Sequence, residues 1–172
     1  MTLMPKALLL IAALGLAACN NPDRFGAGGA GANGAGGVVD TNGLGDPNDP
    51  TSIAYFNQTV GDRVLFAVDQ STLSPEGRTV LEGQSQWLAA NPNYAIIIEG
   101  HADEQGTREY NLALGARRAA AVQQFLMAQG VAPDRMKTIS YGKERPIEVC
   151  SEEACYSRNR RAVTVLSMGS GV

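Results

Sequence analysis

The stretch YAIIIEGHADEQGTREYNLALGARRAAAV, Tyr94–Val122, changes its hydrophobic period part-way and so sets the architecture. It opens nearly all apolar, with three consecutive isoleucines, as a strand covered on both faces does. Past a glycine-containing loop the pattern turns helical: at 100° per residue, Leu114, Ala121, Val122 and the following Phe125 fall within one arc. Arg118 projects into the middle of that arc, and Arg117 lies at its edge. A permanent cation on the core-facing stripe is costly unless it is paired and hydrogen-bonded.

The candidate partner lies just upstream. Asp103 follows the carboxyl end of the isoleucine strand, where α/β sheets commonly open a ligand crevice. The helix starts after Gly106, running from about Glu109 to Gln129, and Gly130 and Pro133 stop it. Two arrangements satisfy the charges. Asp103 and Arg118 can form an internal salt bridge that holds loop to helix. Alternatively they form a receptor for a zwitterion, Arg118 gripping a carboxylate by its fork and Asp103 taking an ammonium group. Free amino acids carry both charges, and so does the end of a diaminopimelate side chain in bacterial peptidoglycan.

Working outward, Val64–Val68 reads as a strand that ends at Asp69. Ser74 caps a helix with Pro75 in its first position, and Val80, Leu81, Gln84, Trp87 and Leu88 form its stripe up to Asn91-Pro92. Met136–Tyr141 and Ala162–Leu166 add two strands. The order β-α-β-α-β-β predicts an α+β fold, one mixed sheet with the helices packed on one side.

The chain has 172 residues, enough for one domain plus extensions. Its 14 basic and 17 acidic side chains leave it mildly acidic, so it has no general attraction for nucleic acid. Residues 1–18 have the layout of a secretory signal: Lys6, an apolar run Ala7–Leu16 too short to span a bilayer, then small residues. Leu16-Ala17-Ala18-Cys19 resembles the bacterial lipobox, which implies cleavage before Cys19 and lipid on that cysteine. With Asn20 next, the sorting rules of such lipoproteins imply the outer membrane, with the domain in the periplasm. Residues 19–57 are rich in Gly, Ala and Asn and read as a flexible tether, with a typical reach of about 35 Å. The folded domain is placed at 58–168 and a short tail at 169–172. A periplasmic address makes a Cys150–Cys155 disulfide the default for CSEEAC.

Catalysis has no signature here: there is no Gly-x-Ser-x-Gly, no His-Glu-x-x-His and no cysteine with a histidine partner. Adjacent Asp103 and Glu104 do not easily place two carboxyls across a glycosidic bond. His101 is the only histidine, and with scattered carboxylates it makes a poor zinc set, so no metal or cofactor is expected. A hydrogen-bonding role at the strand end suits it better.

GHADEQGTREYNLALGARRAAAV resembles the signature of OmpA-like peptidoglycan-binding domains: Gly-His-x-Asp, then Gly, then Asn, then Leu-x-x-Arg-Arg-Ala-x-x-Val. ISYGKERP, YSRNRRAV, the lipobox and the leash extend the likeness to the family's lipid-anchored members. The resemblance implies that Asp103 and Arg118 contact diaminopimelate of the peptide stem. Gly106, Asn111 and Leu114 match positions that shape the loop and helix start, and Phe66 and Asp69 match a Phe-x-x-Asp bordering the same site. Many members carry Asp directly after that Phe, where this chain has Ala67. The implied partners are peptidoglycan, the Tol system proteins TolB and TolA, and the outer membrane through the lipid. The implied role is a non-enzymatic link between outer membrane and wall during constriction and cell division. Arg158, Arg160 and Arg161 cluster before the last strand, where such a run is a solvated face, a set of partners for nearby acids, or an aid to binding wall carboxylates.

Overall fold

Ser74 and Thr107 each end an extended segment and start a long helix by the same device. Ser74 Oγ accepts from the Gly77 N–H at 3.1 Å and opens α2, Pro75–Ala90, with Pro75 where no N–H is needed. Thr107 Oγ1 accepts from the Tyr110 N–H at 3.2 Å and opens α3, Arg108–Ala128. The computed structural model of the chain describes residues 44–168. The expected signal segment, Cys19, the tether up to residue 43 and the tail 169–172 lie outside the described residues.

Before α2 come a single helical turn α1, Ile53–Tyr55, a wider π-type turn, Phe56–Gly61, and strand β1, Arg63–Leu65. Strands β2, Tyr94–His101, and β3, Met136–Gly142, flank α3 in sequence. A short helix α4, Glu153–Asn159, precedes the last strand β4, Arg161–Met168. The sheet order is β1-β4-β2-β3, with β2 and β3 parallel and β4 antiparallel to both its neighbours. This is the expected mixed sheet. Helix α3 lies on β2 and β3, α2 on β1, and the two helices touch.

β2 is the interior strand whose Ile96 and Ile98 are fully buried, against Leu81, Leu88, Val122 and Leu126 of the helices. Its carboxyl end meets α3 with no side chain between. A Cβ on Gly100 would lie 1.8 Å from the Gly115 carbonyl oxygen, and one on Gly115 would lie 2.4 Å from Ser140 Oγ. This backbone contact seats the start of α3 directly over the end of β2.

Three expectations are corrected. The domain begins before residue 58: Phe56 is fully buried, Trp87 Nε1 donates to the Pro50 carbonyl at 2.7 Å, and Tyr94 OH donates to Thr51 O at 3.1 Å. Polar, Pro-containing sequence hid this strap because it packs through few apolar residues. β1 is shorter than Val64–Val68, because the chain turns at Ala67–Gln70 (Gln70 N to Ala67 O, 3.2 Å) with Asp69 at φ 57°. Helix α4 was not expected, since its seven residues, EACYSRN, are too few and too polar to show a period.

Candidate ligand-binding site

Arg118 emerges from the middle of α3 and its side chain is fully buried. Its buried companions Leu114, Val122 and Leu126 make the core face of the helix, and Arg117 is exposed, as the periodicity predicts. The guanidinium is satisfied by main chain. Nε donates to Gln70 O at 2.8 Å, one terminal nitrogen to His101 O at 2.7 Å and the other to Ala67 O at 3.2 Å. The Phe66 ring lies under it, 5.2 Å from ring centre to guanidinium carbon. Ala67, the position that departs from the expected acid, thus contributes its carbonyl. A guanidinium has five N–H donors. Three are used here, which leaves one on each terminal nitrogen. Burial lowers the Arg118 pKa to about 10; Asp103 and Asp69 oppose that shift, and Arg160 and Arg117 add to it. The group stays charged at neutral pH.

Asp103 does not pair with Arg118. Its Oδ2 accepts from Arg160 at 3.0 Å in a buried ion pair, and its Oδ1 accepts from the Gln105 N–H at 3.2 Å. Arg160 is also buried, donates from Nε to Phe66 O at 3.2 Å, and is held on its other side by Glu153. Burial opposes its charge, but hydrogen bonds to Glu153 and Asp103 outweigh that and hold the guanidinium above its ordinary range. Of the arginine cluster, then, Arg160 pairs with site acids. Arg158 is exposed and bridged to Glu148 at 2.7 Å, while Arg161 is buried against the Asn159 and Arg145 carbonyls.

Both charges nevertheless line one cavity of about 310 Å³, together with Asp69, Gly106, Asn111 and Leu114 from the predicted set and Val68, Gln105 and Tyr110 besides. Phe66 sits below, in the core. Gly106 has φ 89°, a left-handed turn that lets the loop re-enter the helix. Buried Asn111 ties that turn down, donating to Gln105 O at 2.7 Å. Lys143 Nζ clamps the same loop through Gly106 O at 2.6 Å and Glu104 O at 3.3 Å. Tyr110 OH donates to Asp69 and spans from α3 to the β1–α2 turn.

His101 reaches the site only through its carbonyl, the acceptor for Arg118. The buried ring stacks on Tyr141 at 5.5 Å and both its nitrogens lack hydrogen-bond partners among the described residues, so the hydrogen-bonding role belongs to its backbone. Burial, then Arg161 and Arg145, push its pKa down to about 4. The ring is therefore neutral near pH 7, and its 3.5 Å approach to Glu99 is not an ion pair there. Among the described residues no group of three potential ligands could hold a metal. A larger cavity, about 390 Å³, lies beside β1 and α2; Glu76 lines it together with two arginines, which are paired with Asp62 and Glu148.

Glu153, Tyr110 and Lys143 were not singled out from sequence as site residues. Arg160 was, but only as one of three arginines in YSRNRRAV, and nothing in the pattern separated it from its neighbours.

Comparison with known proteins agrees with this architecture. Residues 65–160 match the OmpA family. The chain belongs to the OmpA family. A protein from Agrobacterium fabrum named peptidoglycan-associated lipoprotein is 49% identical over 98% of this chain and 90% of its own length. One of the same name from Rhizobium meliloti is 57% identical over 71% of this chain and 69% of its own. The crystal structure of the peptidoglycan-associated lipoprotein from Burkholderia pseudomallei superimposes with a TM-score of 0.63 at 37% identity, covering 70% of this chain and 98% of that one. In this OmpA-family domain the cavity at the β2–α3 junction falls wholly inside the matched region, as do Arg160 and α4. The relatives' shared name is that of a lipoprotein and not of an enzyme.

Proposed function

We propose that this OmpA-family chain is an outer-membrane lipoprotein, anchored through Cys19, whose periplasmic domain grips peptidoglycan without covalent attachment. Diaminopimelate of the stem peptide is the recognised group, its carboxylate set toward Arg118 and its ammonium toward Asp103. The observation that carries the reading is that these opposite charges line one cavity without pairing with each other. A ligand bearing both charges close together complements that arrangement, and one bearing a single charge does not. One site gives modest affinity, and anchoring beside the wall raises the effective concentration. Through its wall-facing domain the chain would act with TolB and TolA in the Tol-Pal system, coupling outer membrane to wall during constriction and division. The likeness over 98% of the chain to a protein named peptidoglycan-associated lipoprotein supports the lipoprotein and wall-binding parts of this reading.

A second reading has an observation in its favour. Arg118 has no exposed area and three backbone carbonyls as partners, which suits a structural cation. The two roles are compatible, since a charge buried in low dielectric is weakly screened and acts on the adjoining cavity. They are separated by co-sedimentation of the full chain with purified walls containing diaminopimelate and with walls carrying lysine in its place. Lysine lacks the extra carboxylate. Binding to the first and loss on the second supports the receptor; equal binding to both, or to neither, removes it.

A further inference from the structure

Arg160 stands between two carboxylates, only one of which faces the cavity. Its terminal nitrogens reach Asp103 Oδ2 at 3.0 Å on one side and both oxygens of Glu153 on the other. An unshared arginine on Asp103 would spend most of that carboxylate's charge and leave little for a cationic ligand. Glu153 takes part of it away. Asp103 uses one acceptor site on Arg160 and one on the Gln105 N–H, and a carboxylate offers about four. Roughly half of its acceptor capacity is therefore free for the ligand side. Removing the Glu153 charge would tip the balance around the cavity, where Arg118 and Arg160 face Asp103 and Asp69, toward positive.

The position of Glu153 is itself braced. It is the first residue of α4 and lies inside the loop closed by the Cys150–Cys155 disulfide, whose Cα atoms are 5.9 Å apart. The far end of α4 is fixed by buried Asn159. Its Oδ1 accepts from the Ile147 and Glu148 N–H groups, and its Nδ2 donates to Glu104 Oε1 at 2.8 Å. The cysteine loop, α4 and the Asp103–Glu104 loop thus form one connected unit.

We propose that Glu153, held in place by the Cys150–Cys155 loop, is a positioning residue that sets the preference of Asp103 for an ammonium group by sharing Arg160. The proposal rests on the receptor reading above and adds a specificity determinant outside the cavity. It is tested by calorimetric titration of the full chain with two probes, meso-diaminopimelate and pimelate, which has the same carbon chain and carboxylates but no amines. The unmutated protein should prefer diaminopimelate. Glu153→Gln should weaken diaminopimelate by about threefold to fivefold, the scale of an exposed charge pair. Pimelate should bind as before or better, so the ratio falls. Glu153→Asp should recover part of the ratio, and Cys150→Ser with Cys155→Ser should lower it in the same direction. An unchanged ratio in Glu153→Gln, or an equal loss on both probes, overturns the proposal while leaving the receptor reading standing. If the unmutated chain binds neither probe, both fall together.

Discussion

Asp103 gives its ion pair to Arg160 at 3.0 Å, and Arg118, although it lines the same cavity, is held by the backbone instead. The three carbonyls it binds belong to Ala67, Gln70 and His101, so one side chain of α3 joins the turn after β1 to the end of β2. Arg118→Ala would leave those acceptors without a donor in a buried place. We expect a loss of about 3 kcal/mol or more in denaturant unfolding. Arg118→Lys should fall between the two, since a single ammonium keeps the charge but cannot match the planar fork. A change within 0.5 kcal/mol for the alanine variant would refute the structural part of this role.

The close approach of Gly100 and Gly115 leaves no room for a methyl group. A Cβ on Gly100 would fall 1.8 Å from a main-chain oxygen, which cannot swing aside as a side chain can. Gly100→Ala should therefore push α3 off β2 and cost roughly 3 kcal/mol or more, above the usual range for one added methylene. Thermal unfolding followed by circular dichroism checks this, with Gly130→Ala as comparison, where nothing lies within 4 Å and only the φ of 94° opposes the change.

Legibility followed periodicity. The isoleucine run and the α3 stripe are long and apolar, so β2, α3 and the inward turn of Arg118 could be read from spacing. What Arg118 binds could not, because its acceptors are carbonyls, which every residue has. The Asp103–Arg160 pair joins positions 57 apart, and no local pattern encodes such a distance. Helix α4 and the strap before residue 58 were hidden for a related reason: the strap is held by Trp87 reaching the Pro50 carbonyl and α4 by the single Asn159 side chain, not by a repeating face. The resemblance to OmpA-like domains suggested a ligand but not the Arg160–Glu153 pair behind Asp103.

The strap is testable by one substitution. Phe56 is fully buried and packs against Trp87 with its ring tilted by 58° and centroids 4.9 Å apart, within the same cluster as Leu81 and Ile98. Phe56→Ala should destabilise the domain by about 3–5 kcal/mol. Were residues up to 57 part of a free tether, the same change would be silent in a denaturant titration.

His101 gives stability a pH dependence that can be isolated. Its ordinary pKa of 6.5 falls to about 4 in the fold, because burial and the nearby Arg161 and Arg145 disfavour the imidazolium. The unfolded chain thus binds the proton more readily than the folded one. The resulting stability is fully present above pH 6.5 and is lost as pH falls from there toward 4. One unit below the unfolded pKa, the loss should be about 1.4 kcal/mol relative to alkaline conditions. His101→Phe keeps a ring against Tyr141 and leaves the backbone acceptor for Arg118 in place, but it removes the titration. Between pH 7.5 and 5.5, above the range where most carboxylates titrate, the unmutated protein should lose stability and the phenylalanine variant should lose much less. Parallel slopes for the two proteins would show that His101 is not the group responsible.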